Sequence, residues 1–416
     1  MKILLVHQYF RTSDMPGGTR THELAKRWVA AGHEVEVITG LNLASEATKS
    51  WSHSTVDGIS IHWFHSPYSQ MMTMTERLRA FFEFAWVADR RAAGLESDFD
   101  LVVASSTPLT IALPAVRAAK RLDVPLVFEV RDLWPEVPIA LGALNNPAAR
   151  AGAFKLERYA YDNSAHVVAL SPGMADGVAA TGYPRSQISV IPNSFDFDMF
   201  DVPASEGQQV RADHDWLGDR PLCLYLGTVG PVNGLGWMLD LAHAVRRIDP
   251  EVRFWVNGEG SEHGSIRFRA GQEGLLNQTL FVGEDLPKPR VPPMLSAADV
   301  AFSVVADVPE LNHNSANKVF DALASGTPVV INHEGWQADF IREAGCGLVL
   351  DRHDIDGSAR RLVDFLRDRA ALDGAGEAAT KLAHERFARD DHADQYLRIM
   401  EDVVDAGATT GSGQIR

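Results

Sequence analysis

Cysteine is scarce in this chain: Cys223 and Cys346 are the two among 416 residues. They stand far apart and form no CxxC pattern. That excludes a disulfide framework and a clustered cysteine metal site, and it fits a reducing compartment such as the cytosol. Basic charge is in deficit too. Lys and Arg number 39 against 55 Asp and Glu, a net charge of −16. A general nucleic-acid partner is therefore not expected, although a locally basic site remains compatible with that balance. No apolar run reaches the length of a membrane span. The run inside Met1–Phe10 is too short for a signal peptide and reads as a first strand. The GxGxxG fingerprint of a dinucleotide-binding dehydrogenase is missing.

What is present is globular: 45% hydrophobic and 23% charged residues, in a chain long enough for two domains. Strand and helix signals alternate, which predicts α/β architecture with parallel sheets. Lys2–Val6 is a near-continuous apolar run, as a central parallel strand requires. Pro16-Gly17-Gly18-Thr19-Arg20 follows, then an amphipathic helix through Leu24 and Trp28, then a strand at Glu34–Ile38. Gly17 and Gly18 let backbone N–H groups approach a ligand, and Arg20 is a candidate phosphate contact. Residues 41–56 are polar and read as a loop. Ile59, Ile61 and Trp63 alternate as a strand. The segment 74–93 combines Phe82, Trp86, Arg90 and Arg91 on a helix. It fits packing on the sheet best, with an anionic membrane surface as the alternative.

Ligands bind beyond the carboxyl ends of strands in open α/β sheets, so the strand tips carry the functional expectations. Leu101–Ala104 runs into Ser105 and Ser106. Pro125–Val130 runs into Arg131 and Asp132, where a guanidinium can hold phosphate and the carboxylate can orient it. Trp134 beside them suits a sugar face or the core equally. Ile191-Pro192-Asn193 begins a linker, with a boundary near 195–205. In the second half, Pro221–Leu226 leads into the glycine-rich loop Gly227–Leu235. Leu280–Gly283 is a later strand, and Asp299–Val305 another. Then comes His313–Val330: a loop, a helix capped by Ser315, the turn residues Gly326 and Pro328, and a strand. The helix start offers free N–H groups to an anion. Lys318 lies in its first turn, and Asp321 one turn on can accept from a ribose diol. Gly345–Leu350 is a last strand, followed by two helices, and the tail from Gly407 is expected to be disordered.

Ala324, Gly326, Pro328, Val329 and Val330, the Ile191-Pro192-Asn193 junction and Arg131-Asp132-Leu133-Trp134-Pro135 occur in one order. That ordered set resembles glycosyltransferase family 4, and Ser315, Lys318, Phe320 and Asp321 are similar to its fucosaminyltransferase-like subset of bacterial polysaccharide builders. The resemblance implies two Rossmann-like domains facing across a cleft, the GT-B fold. It implies an acceptor domain over 1–198, completed by a C-terminal helix about 390–406 that crosses back to it, a donor domain over 199–389, and a tail at 407–416. It implies a retaining transferase of hexosyl or N-acetylhexosaminyl type, with no cofactor and no metal. The donor would be a nucleoside-diphosphate sugar, UDP-linked. The acceptor would be a glycan, a lipid-linked sugar or a small molecule.

By the same resemblance Gly17, Gly18 and Arg20 would face the donor phosphates. Val282 and the residues after it would hold the base, and Ser315, Ala316, Asn317 and Asp321 the rest of the nucleotide. Arg131, Asp132, Lys318 and His313 would carry catalysis. Departures accompany it. Asp321 replaces a glutamate and His313 replaces another. The family's diphosphate-gripping Arg and Lys are Thr228 and Asn233 here, with Gly234 beside them. Asp-x-Asp triplets (Asp98/Asp100, Asp196/Asp198, Asp213/Asp215, Asp354/Asp356) do not stand where a metal-dependent transferase needs one. The expected location is cytoplasmic, with 74–93 as a possible peripheral contact at the inner membrane face; oligomeric state is open. The rivals are an epimerase of the same architecture and a nucleotide-sugar-binding subunit that lost catalysis.

Overall fold

The computed structural model describes residues 1–15, 17–43, 49–67, 72–96 and 98–411. The chain divides into two compact units, Met1–Pro192 with Asp390–Arg416, and Asn193–Arg389. The switch between them falls at Pro192/Asn193, earlier than 198/199. Hydrogen bonding explains this: Asn193 donates its N–H to Ser315 Oγ, and Phe195 pairs with Ala388, so both belong with the second unit.

The first unit is built on an eight-stranded sheet. Its strands are β1 (Lys2–Val6), β2 (Glu34–Leu43), β3 (Ser50–Val56), β4 (Ile59–Pro67), β5 (Leu101–Ser105), β6 (Leu126–Val130), β7 (His166–Ala169) and β8 (Ile188–Val190), in the order β3-β4-β2-β1-β5-β6-β7-β8. All neighbours are parallel except β3 with β4. Ile3, Leu4, Leu5 and Val6 have no exposed surface, as a strand covered on both faces demands.

Residues expected as a loop over 41–56 instead extend β2 to Leu43 and form β3, with 44–48 outside the described residues. β3 is an edge strand whose polar side chains face water, so its composition hides it. The readable signal was Asp57-Gly58, both at positive φ, which closes a hairpin onto β4.

The helix Met74–Ala93 starts at a Thr73/Glu76 capping box. It buries Phe81, Phe84, Ala85 and Ala88 and leaves Phe82 and Trp86 each 54% exposed, with the Arg90 guanidinium 4.0 Å above the Trp86 ring. Three helices, not two, follow the last strand: Ile355–Arg367, Arg369–Arg386 and Arg389–Gly411. The final one returns to the first unit, where Tyr396 packs 5.1 Å from Trp28 and Ala393 and Met400 enter its core. It runs through Gly411, so 407–411 is helical rather than disordered; 412–416 lie outside the described residues. Among the described residues no helix is long and apolar enough to cross a membrane.

The second unit holds a fully parallel six-stranded sheet: β9 (Leu222–Leu226), β10 (Arg253–Asn257), β11 (Leu280–Gly283), β12 (Val300–Ser303), β13 (Val329–Ile331) and β14 (Gly347–Val349), in the order β11-β10-β9-β12-β13-β14. In both sheets the order reverses at the first strand, β1 in one and β9 in the other. The crevice beyond that reversal is where an open α/β sheet takes its ligand. Cys223 in β9 and Cys346 before β14 are buried free thiols.

Candidate functional site

In the second unit the chain leaves β9 at Gly227 and is braced by the turn after β10. Gly227 N donates to Asn257 O at 2.9 Å, Val229 N to Glu259 O at 2.8 Å, and Glu262 N to Val229 O at 3.0 Å. The two turns touch backbone to backbone. A Cβ on Gly258 would lie 1.8 Å from the Gly227 carbonyl oxygen, and one on Gly260 2.2 Å from that of Val229. Only glycine allows this approach. Gly234, at φ +56, closes the loop against Ala306.

Lys318 reaches into this loop from the helix Asn317–Ala324. Its Nζ donates to Asn233 Oδ1 at 3.1 Å and stands 5.1 Å above the Tyr225 ring. Tyr225 in turn donates its hydroxyl to Thr228 O at 2.7 Å. Burial lowers the Lys318 ammonium to about 8, with Asp321 opposing that shift. Thus Asn233, expected as a neutral phosphate donor in place of a lysine, instead accepts from the Lys318 ammonium. The exposed Thr228 side chain stays at the loop surface.

Ser315 does not cap the helix. The cap position is Ala316, and no side chain closes the first turn. Ser315 is buried in another role: its Oγ accepts from Asn193 N at 3.2 Å and its carbonyl oxygen accepts from Asn193 Nδ2. The N–H groups at the helix start are left for an anion, with Lys318 alongside. Asp321 is not open on both sides either. Its Oδ2 takes Lys288 Nζ at 2.8 Å, in a pair whose side chains are less than a fifth exposed. Lys288 was missed in the sequence because a lone lysine between prolines in a loop carries no periodic signal. His313 ends the short helix Pro309–His313 and is exposed, as is Asn317; Ala316 and Val282 are half-buried.

A titration follows from this geometry. The free protein loses the Lys318 charge as pH rises through about 8. Were a diphosphate the ligand beside Lys318, it would favour the charged form, and kcat/KM would fall above about pH 8 while kcat held to higher pH. A kcat/KM profile flat to pH 10 would contradict this assignment.

In the first unit three strand tips converge: His7 after β1, Ser105 and Ser106 at the end of β5, and Glu129 to Asp132 at the end of β6. Arg20, expected as a phosphate contact, is engaged elsewhere. Its Nε meets Glu129 Oε1 at 2.9 Å, and the guanidinium donates to the carbonyl oxygens of Ile191 and Pro192. Both side chains of the pair are 2% exposed. Burial works to raise the Glu129 carboxyl, but Arg20 and Arg131 outweigh it and hold it below the usual range. Ser105 adds a hydrogen bond at 2.6 Å. Arg20 therefore fastens the end of the first unit.

Arg131 is half-buried. Its N–H donates to Ser106 Oγ at 3.1 Å, and its guanidinium lies 3.2 Å from His7 Nε2. Asp132 is accessible, yet the protein around it desolvates the carboxyl and raises it to about 6 against the pull of Arg131. Gly17 at φ +112 and Gly18 are exposed in the turn that precedes the helix Arg20–Ala30. Trp134 is partly buried against the first core.

Among the described residues no group of three or more His, Cys, Asp or Glu is placed to hold a metal ion. Members of the Asp-x-Asp triplets have structural work. Asp98 pairs with Lys2, Asp196 with Arg389 and Asp356 with Arg247, while Asp354 caps the helix Ile355–Arg367.

Residues 17–194 match the family described as Glycosyl transferase 4-like domain, and residues 207–382 match Glycosyl transferases group 1. The chain is 26% identical over 261 residues to the lipopolysaccharide core biosynthesis glycosyltransferase LpsE of Rhizobium meliloti (strain 1021), covering 60% of this chain and 70% of that one. It is 26% identical over 407 residues to a D-inositol 3-phosphate glycosyltransferase of Nocardioides sp., covering 92% and 85%. Among solved structures it is similar to Anabaena HepE in complex with UDP-glucose, at a TM-score of 0.71 and 17% identity, covering 98% of this chain and 100% of that chain. At that identity the likeness is one of fold.

Proposed function

The chain belongs to the family 4 glycosyltransferases of the GT-B fold, and from that premise we propose that it is a retaining enzyme using a nucleoside-diphosphate sugar, UDP-linked. The observation that carries the donor reading is the uncapped start of the helix Asn317–Ala324 with Lys318 over the glycine-rich loop. Breaking the anomeric bond builds negative charge on the leaving diphosphate. A fixed ammonium and a row of backbone N–H groups stabilise that charge without reorganising. Lys318 thereby supplies the cation expected at Thr228 and Asn233, which argues against a catalytically impaired subunit.

Asp321 Oδ1 is the acceptor left for the ribose once Lys288 has taken Oδ2. UDP is favoured as the base-bearing group because HepE, a protein of the same fold, binds UDP-glucose. Transfer is metal-independent in this reading, since the cationic helix start takes the part of a bridging divalent ion. The acceptor is a glycan, a lipid-linked sugar or a small molecule.

A thermal-shift screen of UDP, GDP, ADP and their sugars, run in EDTA, tests the reading. UDP and at least one UDP-sugar raise the melting temperature. A protein stabilised by none of these nucleotides, or only after magnesium or manganese is restored, would refute it.

A further inference from the structure

We propose that Arg11, Arg131 and His7 form an anion site in the first unit, and that its ligand is a phosphate or carboxylate carried by the acceptor. The second half of that statement rests on the transferase reading above; the first half stands on the first unit alone.

A guanidinium only donates, so at the 3.2 Å contact between Arg131 and His7 the ring Nε2 accepts. The ring proton then sits on Nδ1. His7 is 1% exposed, and burial, reinforced by Arg131 and then Arg11, holds it well below its ordinary value. The imidazole is neutral, so Arg131 has a partner that cancels none of its charge. His7 Nδ1 is buried and has no hydrogen-bond partner among the described residues. It is a fixed donor awaiting an acceptor.

Arg11 repeats the pattern. Its guanidinium donates to the carbonyl oxygens of Phe10 at 2.8 Å and Gly40 at 3.2 Å, again neutral groups. Its Cγ lies 3.7 Å from where a Gly17 Cβ would stand, so the glycine turn comes down beside it. Among the described residues no carboxylate lies in salt-bridge contact with Arg11 or Arg131, whereas Arg20 next door is paired with Glu129. Asp132 contributes one negative charge nearby. With Arg20 and Glu129 cancelling, Arg11 and Arg131 still leave one positive charge in excess. Partly buried guanidinium groups without a close counter-ion are costly, and Arg131 against the neutral ring of His7, with Arg11 on the same loop after β1, suits an oxyanion. The donor diphosphate already has Lys318 and a helix start in the second unit, so the acceptor is the remaining source of an anion.

The test is calorimetric titration of inorganic phosphate into the full chain, with and without saturating UDP. Phosphate binds in both conditions. Arg11→Met and Arg131→Met each weaken it by about tenfold or more, the worth of one hydrogen bond to a charged group. Arg11→Lys retains most of the affinity. UDP affinity stays within about threefold in all three variants, and melting curves with hydrogen exchange in β1 and β6 matched to wild type certify that the first unit is folded. Phosphate that fails to bind, or binds the methionine variants as well as wild type, overturns the site. Displacement of phosphate by UDP overturns the acceptor assignment and gives the site to the donor diphosphate. If phosphate binds in the arginine-dependent way and no nucleotide binds, the anion site stands and the donor reading is what falls.

Discussion

Replacing Lys318 with alanine lowers kcat/KM by about a hundred- to a thousandfold, the loss expected when one preorganised stabiliser of developing charge is removed. The size follows from the surroundings. The ammonium is held between Asn233 Oδ1 and the face of Tyr225, in a place where burial already lowers its titration to about 8. A charge fixed in such a place acts more strongly than one in water. Part of the loss falls on kcat, since charge on the leaving diphosphate grows toward the transition state. The fold should survive, because the side chain pairs with a loop amide and a ring rather than with a buried carboxylate. Steady-state kinetics against a competent donor, with a matched melting curve, check both. Unchanged turnover removes Lys318 from the mechanism.

Arg20→Met destabilises the first unit by about 3–5 kcal/mol, because it strands Glu129 as a buried, uncompensated carboxylate. Both members are 2% exposed, and Arg20 also satisfies the carbonyl oxygens of Ile191 and Pro192. The double variant Arg20→Met with Glu129→Leu recovers most of the loss, since no charge is then left buried. Denaturant titration followed by hydrogen exchange in β1 and β6 reads the first unit separately. A single variant as stable as wild type would show that the pair is solvated rather than buried. If Arg20 were instead a donor contact, the single variant would lose affinity without losing stability.

Architecture was legible where local pattern and tertiary role agree. Leu4, Val6, Val102 and Val127 lie in apolar runs that only a sheet covered on both faces accommodates. Gly326 at φ +65 and Pro328 mark a turn in the sequence and make one in the structure. Legibility failed where a residue's partner is remote. Ser315 has the chemistry of a helix cap, but Asn193, 122 positions away, claims its hydroxyl. Arg20 follows a Gly-Gly turn as a phosphate ligand would, but Glu129 lies 109 positions on. Asp321 is shared with Lys288, 33 positions before it. In each case side-chain type was read correctly and its use was decided by a strand order that no local window contains. β3 was lost for a different reason: an edge strand facing water has the composition of a loop.

In the proposed donor site Lys318 reads a diphosphate without a metal. Calorimetric titration of UDP and of uridine into wild type and Lys318→Ala, all in EDTA, tests it most directly. Wild type should bind UDP more tightly than uridine by about tenfold or more, and Lys318→Ala should remove most of that difference while leaving uridine unchanged. UDP bound no better than uridine, or a UDP preference that survives the loss of Lys318, would contradict it.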